Sequence, residues 1–356
     1  MNNTVAGESD SGEPSRKLRV AAVGTGYFSQ FHYDAWSRCD DVDLVGVADL
    51  NFSSAEAITD SHGGRAFDDC ARMLDAVKPD LLDIITPPST HLQMIRLAAQ
   101  HGINVVCQKP FCGTLDVARQ AVVMAEDANV DITVHENFRF QPWYAAVKEQ
   151  LDSGRLGELY RATFRLRPGD GQGREAYLDR QPYFQQMDRF LVHETAIHYV
   201  DVFRFLFGDV SALWADLAQL NPAISGEDSC LVVMDFDRGF RGVLDGNRLS
   251  DHVAENRRRT MGDMSIEGEK GELVLTGDGV LTFRRHGSNE TTLVPFDWND
   301  NGFGGDCVYR FTRHVADHYM TGGVLQNSGR DYLANLEIEE AIYASASDGT
   351  KRVIGG

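Results

Sequence analysis

The sequence lacks the positive charge of a protein that binds nucleic acid. It has 34 Lys and Arg residues against 53 Asp and Glu residues, which gives its 356 residues a formal net charge of −19. Because the phosphates of nucleic acids require a footprint of lysine and arginine, we expect no nucleic-acid partner. The sequence also lacks an apolar run near the roughly 20 residues that a membrane helix needs, so we expect no membrane partner.

The cysteines lack the spacing of a zinc site, and no CxxC pair occurs. They are dispersed along the chain, at Cys39, Cys70, Cys107, Cys112, Cys230 and Cys307. Dispersed thiols are typical of buried, reduced residues, so we expect a cytoplasmic protein without a bound metal. Residues 1–16 also lack the basic and apolar regions of a secretory signal, and their small polar residues indicate a disordered tail.

One segment is similar to the H-E-x-x-H motif of zinc hydrolases but is one residue too long. His193 and His198 stand five residues apart. On an α-helix that spacing rotates one side chain about 140° away from the other. The two imidazoles therefore cannot readily share a metal ion, and we do not expect a zinc hydrolase.

The length of the chain favours two domains. Residues 17–140 alternate short apolar segments with helical patterns, and strands are predicted at 18–23, 43–48, 81–86, 103–107 and 130–135. This alternation predicts an α/β Rossmann domain with a doubly wound parallel sheet. From residue 141 to residue 356, strand patterns separated by turn residues predict an α+β domain with a large, mostly antiparallel sheet. Helices are predicted there from Pro142 to about 153 and at about 193–207, 305–321 and 331–346.

A glycine turn follows the first predicted strand. It is a variant of G-x-G-x-x-G with Ser29 in place of the third glycine, and its other members are Gly24, Thr25, Gly26, Tyr27 and Phe28. The first glycine of such a turn permits the tight bend, and the second lets the backbone approach a pyrophosphate at the start of the next helix. We therefore assign these five residues to a dinucleotide-binding site.

Asp49 ends the second predicted strand, 23 residues after Gly26 (49 − 26). An acid at about this distance accepts hydrogen bonds from the adenine ribose in dinucleotide-binding domains. The same carboxylate repels a 2′-phosphate, so NAD is favoured over NADP. An exposed aspartate in a turn remains the alternative.

Two further strand ends point to the same crevice, because ligands of open α/β sheets bind at the carboxyl ends of the strands. The cofactor-binding residues expected there are Thr86, Pro87, Pro88, His91, Gln108 and Lys109. Lys109 follows a buried strand and precedes Pro110, which fixes the backbone after it. It is the candidate acceptor of a proton while the cofactor accepts a hydride. An exposed lysine in a turn is the alternative.

The glycine turn, the Thr86-Pro87-Pro88 segment with His91, Lys109-Pro110 and the pair Glu194 and His198 together resemble the Gfo/Idh/MocA oxidoreductases. The resemblance extends over nearly the whole chain after the tail. Gln108 stands where the family usually has glutamate, and Glu194 stands where it usually has aspartate. Segments 135–144, 167–171 and 177–184 are similar to the D-apiose dehydrogenase branch, which implies oxidation of an aldose at C1 to a lactone and then an aldonate.

Lys109 and His198 are the predicted catalytic residues, with His198 at the reacting oxygen, where it either shares the proton with Lys109 or relays it. Glu194 and Arg165 are predicted to contact the sugar, and Asn137 to contact either the sugar or the nicotinamide amide. Glu194 and His198 lie four residues apart on a predicted helix and so share a face, where Asp201 could orient the imidazole. Arg165 alternates with apolar residues along a strand, so it either reaches the substrate or faces solvent or another subunit. The resemblance also implies that the second sheet pairs subunits into a homo-oligomer, a dimer or tetramer.

Three other functions remain open on the same fold. A non-catalytic dinucleotide sensor or co-regulator would be expected to lack the lysine or the histidine, and both are present. An NADPH-dependent reductase of a small carbonyl or imine is disfavoured by Asp49. An enzyme that keeps NAD bound and recycles it within one turnover is the third alternative.

Overall fold

The first sheet is parallel and six-stranded. In the computed structural model, which describes residues 16–355, its strands are β1 (Leu18–Val23), β2 (Val42–Ala48), β3 (Arg65–Phe67), β4 (Leu81–Ile84), β5 (Asn104–Gln108) and β6 (Ile132–His135). The strand order β3-β2-β1-β4-β5-β6 confirms the predicted Rossmann fold. Of these strands, only β3 was not predicted from the sequence, because a strand of three residues is too short to show an alternation of apolar and polar residues. The predicted disordered tail lies outside the described residues except for Arg16.

Helices cover both faces of this sheet, as its almost fully apolar strands require. They are α1 (Ser29–Ser37), α2 (Phe52–His62), α3 (Cys70–Val77), α4 (His91–Gln100) and α5 (Leu115–Asp127). The hydroxyl of Thr114 accepts a hydrogen bond from the N–H of Val117 at 3.3 Å and so caps α5.

The second sheet has nine strands and confirms the predicted α+β architecture. After α6 (Pro142–Asp152), its strands are β7 (Leu159–Leu166), β8 (Ala212–Ala218), β9 (Ser229–Asp235), β10 (Arg241–Asn247), β11 (Gly262–Gly268), β12 (Gly271–Leu275), β13 (Leu281–Arg285), β14 (Thr291–Leu293) and β15 (Arg352–Val353). Their order is β14-β13-β12-β11-β7-β10-β9-β8-β15. All neighbouring strands are antiparallel except β7 and β10, which run parallel.

The segment 193–207, predicted as one helix, belongs to two elements. A π-helical turn (Leu191–Ala196) leads into α7 (Ile197–Phe207). The carboxylate of Glu227 accepts hydrogen bonds from the N–H groups of Phe190 and Val192, at 3.2 and 2.9 Å, and holds the start of the turn. A π-helical turn carries an extra residue per turn, and such turns are frequent at functional sites.

The last two helices, α8 (Cys307–Thr321) and α9 (Gly329–Asp348), return to the first sheet. Arg313 on α8 pairs with Asp41 at 2.8 Å, and the N–H of Val134 on β6 donates to the oxygen of Asn327 at 2.8 Å. The domain boundary predicted at residue 140 lies between the two sheets along the chain, although the residues after 306 pack on both sheets. We retain residue 140 as a proposed domain boundary.

One face of the nine-stranded sheet packs on helices, while alternate residues on the other face are exposed. Arg161, Arg165 and Leu231 lie on this open face. Between residues 16 and 355, no helix has the length and apolar composition to span a bilayer.

Candidate active site

A cavity of about 1330 Å³ lies at the carboxyl ends of the parallel strands and extends toward the π-helical turn. It is larger than the roughly 300–1,000 Å³ of an ordinary small-molecule pocket, so it has room for a dinucleotide and a second molecule. Most of the residues assigned from the sequence line it: Gly24, Thr25, Gly26, Tyr27, Phe28, Asp49, Thr86, Pro87, Pro88, Gln108, Lys109, Asn137, Glu194 and His198.

The glycine turn is shaped by two different requirements. Gly24 has a φ of +105°, and a Cβ there would lie 2.8 Å from the main-chain carbon of Ile85. Only glycine is therefore accommodated at this position. A Cβ on Gly26 would meet nothing within 4 Å, so the protein itself leaves open space beside that backbone. Such a bare backbone at the start of α1 fits the approach of a pyrophosphate.

Asp49 is held in place at the end of β2. Its Oδ2 accepts hydrogen bonds from the N–H and the hydroxyl of Thr25, at 2.9 and 2.7 Å. Its Oδ1 accepts from the N–H of Asn51 at 2.8 Å. The carboxylate is thus fixed against the glycine turn at the cavity wall, which fits a contact with a ribose.

His91 does not line the cavity, which contradicts a direct role in cofactor contact. The imidazole is fully buried, and its Nε2 donates to the main-chain oxygen of Thr86 at 2.8 Å. Its Nδ1 accepts from the N–H of Cys112 at 3.4 Å. Burial lowers the pKa of His91 to about 4. The residue is therefore a neutral support for the Thr86 loop.

Lys109 and Glu194 meet where β5 and the π-helical turn approach each other. The amine of Lys109 donates to the main-chain oxygen of Glu194 at 2.8 Å and to Oε1 at 3.1 Å. Although burial alone would raise the pKa of the Glu194 carboxyl, the charges of Lys109 and Arg248 lower it to about 2. The carboxylate of Glu194 is therefore ionised where it meets the amine of Lys109.

A chain of polar contacts continues from Glu194 away from Lys109. The hydroxyl of Thr195 donates to Glu194 and accepts a hydrogen bond from Arg248. Arg248 also forms a two-pronged pair with Asp170, at 3.1 and 2.8 Å, and Arg180 donates to the same carboxylate. All of these residues line the cavity. No role was predicted for Arg248 or Asp170 from the sequence, although Arg248 directly follows β10 and Asp170 lies in the segment 167–171.

His198 is oriented by Glu136 rather than by Asp201. Its Nδ1 lies 2.6 Å from Oε1 of Glu136, the residue that follows β6. The expectation for Asp201 was wrong because that carboxylate is taken by Arg139, at 2.6 and 2.8 Å, and by Asn335 at 2.8 Å. Glu136 therefore supplies the partner that the sequence did not reveal.

Gln108 makes its hydrogen bonds within the protein. Its Oε1 accepts from the N–H of Lys109 at 2.6 Å, and its Nε2 lies 2.9 Å from Nε2 of His32. Nδ1 of His32 lies 2.8 Å from a carboxylate oxygen of Asp83. Because the amide nitrogen of Gln108 can only donate, Nε2 of His32 accepts this hydrogen bond and Nδ1 of His32 donates to Asp83. Gln108 still lines the cavity at the end of β5.

Arg165 lies outside the cavity, which corrects its expected contact with the sugar. Its side chain is 55% exposed on the open face of the sheet, with the carboxylate of Asp263 3.8 Å away. The strand alternation placed it on one face correctly, but that face is turned away from the cavity. Asn137, in contrast, is buried at the cavity wall after β6.

No metal centre accompanies these residues in the part of the chain that the structure describes. Among residues 16–355, no group of three or more His, Cys, Asp or Glu side chains could hold a metal ion. His193 and His198 are committed to different carboxylates, those of Glu339 and Glu136, each at 2.6 Å.

The site can be compared with known proteins. Residues 18–136 match the family model described as "Oxidoreductase family, NAD-binding Rossmann fold", and residues 144–274 match the "GFO/IDH/MocA C-terminal domain". D-apiose dehydrogenase of Paraburkholderia graminis is 34% identical over 342 residues, which cover 94% of this chain and 89% of that relative. D-apiose dehydrogenase of Rhizobium rhizogenes is 29% identical and covers 95% of this chain and 98% of the relative.

A solved structure extends the likeness to three dimensions. The crystal structure of an oxidoreductase from Agrobacterium radiobacter, in complex with NAD+, L-tartaric acid and magnesium, is 28% identical and superposes with a TM-score of 0.85. The match covers 95% of this chain and 99% of that one. Both sheets are therefore shared.

Proposed function

The chain belongs to the Gfo/Idh/MocA family of NAD-binding oxidoreductases, and we propose from that premise that it oxidises a sugar hydroxyl with NAD+. The substrate in this proposal is an aldose such as D-apiose, oxidised at C1 to a lactone that hydrolyses to an aldonate. The observation that carries the proposal is a single cavity in which the glycine turn, Lys109, Glu194 and His198 all lie. The likeness to two D-apiose dehydrogenases favours the branched aldose.

The residues that would hold the cofactor lie on the first sheet. The backbone from Gly24 to Phe28 would receive the pyrophosphate at the start of α1, and Asp49 would accept hydrogen bonds from the ribose hydroxyls. The negative charge of Asp49 favours NAD over NADP. When bound there, NAD+ supplies the acceptor for the hydride.

The contacts of Lys109 favour a role as an ammonium group rather than as the base. An ammonium has three N–H donors, and two of them are used on Glu194. The third is available to hold and polarise the sugar oxygen. His198 has Nδ1 engaged with Glu136, and within the described chain no hydrogen bond is made by its Nε2. His198 is therefore the better acceptor for the proton, in place of the role first expected for Lys109.

The reaction then balances without a further reactant. Bound NAD+ would supply the acceptor for the hydride of the sugar C–OH carbon, and Nε2 of His198 would take the hydroxyl proton. The carbon–oxygen single bond becomes a carbonyl. Glu194 and Asn137 would orient the neighbouring hydroxyls, since misplacement of the reacting atoms is costly.

We also propose that the open face of the nine-stranded sheet joins copies of the chain into a cytoplasmic dimer or tetramer. Trp214, Leu231, Val233 and Val243 place apolar surface on outward-facing positions of three adjacent strands. Light scattering on the purified protein tests this. A monomer at all concentrations would refute it.

The activity is tested by offering NAD+ and a panel of aldoses and inositols to the purified protein and following NADH absorbance. The highest kcat/KM is expected for a branched aldose, with NADP+ a poorer cofactor. Absence of NADH formation with every sugar, together with absence of NAD+ binding in a thermal-shift titration, would refute the proposal. Substrate turnover without NADH release, with cofactor retained through purification, would instead identify an enzyme that recycles NAD.

A further inference from the structure

Glu136 is a fully buried carboxylate in contact with His198. It follows β6 directly, and its Oε1 lies 2.6 Å from Nδ1 of His198. The N–H of Phe138 donates to the same oxygen at 3.3 Å, and the hydroxyl of Tyr332 donates to Oε2 at 3.2 Å. The carboxylate is thus held by three donors from three parts of the chain, only one of which is an imidazole.

The imidazole of His198 is fixed from a second direction. The ring of Phe138 lies parallel to it, with a 6° angle between the planes and 3.9 Å between the ring centres. This stacking sets the plane of the ring, and the bond to Glu136 sets its rotation within that plane. His198 therefore has one orientation, with Nδ1 toward the buried carboxylate and only 7% of the side chain exposed.

The carboxylate is ionised in its buried position. Burial alone would raise the pKa of Glu136, but the hydrogen bonds from His198 and Phe138 and the charge of Lys109 lower it below the ordinary value. An ionised carboxylate has only acceptor oxygens, so the hydrogen on the short contact must be carried by Nδ1.

We propose that Glu136 is a positioning residue that keeps the His198 proton on Nδ1 and leaves the Nε2 lone pair facing the cavity. The inference rests on the proposed function for its use in catalysis, because the lone pair is what accepts the sugar proton. When the imidazole takes that proton, the adjacent negative charge stabilises the cation that forms. Without Glu136 the ring can carry its proton on either nitrogen, and part of the population cannot act as a base.

Other charged and titratable groups surround this pair, and they come from every element packed against it. They are Lys109 after β5, His135 and Arg139 around β6, Glu194 and Asp201 on the π-helical turn and α7, Cys307 on α8 and Tyr332 on α9. Asp201 is neutralised by Arg139, and Glu194 is paired with Lys109. Glu136 is thus the carboxylate that is paired with His198 itself.

The decisive measurement is the tautomer of His198, which needs no substrate. The protein contains 11 histidines, so the His198 signals in a 15N-histidine-labelled sample are assigned by their loss in His198→Gln. The expected 15N shifts are those of a protonated Nδ1 and an unprotonated Nε2. In Glu136→Gln, we expect averaged shifts of the two tautomers. Unchanged shifts in that variant would overturn the proposal.

The kinetic measurement distinguishes loss of the positioning role of Glu136 from a loss of folding. With the best sugar, we expect Glu136→Gln to lower kcat/KM by about 10²–10⁴-fold, with NAD+ affinity unchanged. Glu136→Asp retains the charge at a longer distance and should restore part of kcat. If Glu136→Gln does not fold, the wild-type tautomer and Glu136→Asp still decide the question, and a wild-type ring protonated on Nε2 would refute the inference.

Glu339→Gln is the matched control. Glu339 is also a buried carboxylate 2.6 Å from Nδ1 of a histidine, His193, which lies on the π-helical turn that precedes α7. We expect this variant to keep its kcat/KM and the His198 shifts. An equal loss of activity in both variants would refute a specific role for Glu136. A wild-type protein with the expected tautomer that oxidises no sugar would leave the positioning role intact and refute the proposed function instead.

Discussion

The amine of Lys109 lies 3.1 Å from Oε1 of Glu194 and 2.8 Å from its main-chain oxygen, although 85 residues separate the two. Lys109 directly follows β5 of the first sheet, and Glu194 lies in the π-helical turn that packs on the second sheet. Both groups line the cavity and are largely buried. The contact therefore fixes the two parts of the candidate site relative to each other.

Replacing Lys109 by methionine should remove turnover while leaving cofactor binding intact. The substitution keeps the length of the side chain but removes the positive charge that would polarise the sugar oxygen. We expect kcat/KM to fall by about 10²–10⁴-fold. Initial rates of NADH formation and a fluorescence titration with NAD+ measure the two effects. Lys148→Met is the control, because Lys148 pairs with Asp152 on the outside of α6. Activity in Lys109→Met close to that of Lys148→Met would contradict a role in the reaction.

Asp49→Ser should weaken the preference for NAD over NADP. Serine can still accept a hydrogen bond from Thr25, but it removes the charge that would bind ribose hydroxyls and repel a 2′-phosphate. We expect the Kd for NAD+ to rise about tenfold and the Kd for NADP+ to fall. Isothermal titration with both cofactors measures the ratio.

Asp43→Ser controls for the loss of one acidic charge on the same strand. Asp43 lies at the other end of β2 and pairs with the surface residue Lys17 at 3.3 Å. If Asp43→Ser and Asp49→Ser change the cofactor ratio equally, the ribose contact of Asp49 is wrong.

The sequence predicted the cofactor half of the site better than the sugar half. The residues of the glycine turn, Asp49 and Lys109 follow strands whose apolar runs are unmistakable, so their common edge could be inferred from topology. Glu136 and His198 are 62 residues apart, and Arg248 and Asp170 are 78 residues apart. No spacing of neighbouring residues in the sequence predicts such pairs, because they form only when the two sheets pack together.

Two further differences between the sequence prediction and the structure also have local causes. Apolar residues lie on nearly every side of the segment 191–207. The spacing of its apolar residues therefore could not reveal the extra residue of the π-helical turn. Alternation along β7 placed Arg165 opposite the buried residues, but alternation does not say which face meets a ligand. The fold class depended on neither feature and was confirmed.

Gln108→Glu should destabilise the protein. The glutamine nitrogen donates to Nε2 of His32, and a glutamate carboxylate has no hydrogen to donate. We expect the variant to lose about 1–3 kcal/mol of unfolding free energy relative to wild type.

Urea unfolding measures this difference. Gln186→Glu, at an exposed position, controls for the added charge. If Gln108→Glu loses no more unfolding free energy than Gln186→Glu, the direction assigned to the Gln108–His32 hydrogen bond is wrong.

His91 should make the protein less stable in mild acid. Burial lowers its pKa to about 4 in the folded state, and the hydrogen bond to Thr86 offsets only part of that effect. The unfolded chain, with an ordinary histidine pKa of about 6.5, therefore binds the proton first as pH falls, and stability falls with it. From about pH 7.5 to about pH 5 this one group should remove about 2 kcal/mol of unfolding free energy.

His91→Gln tests this assignment because glutamine has no proton to gain in that range. Its free energy of unfolding at neutral pH should be lower than that of wild type, since the Thr86 and Cys112 contacts are disturbed. Its loss between about pH 7.5 and about pH 5 should nevertheless be smaller by about 2 kcal/mol. His101→Gln, at the exposed end of the same helix, controls for the removal of a histidine. An equal acid-induced loss in wild type and His91→Gln would mean that His91 takes up its proton in the folded protein, and the neutral, supporting role of this residue would be wrong.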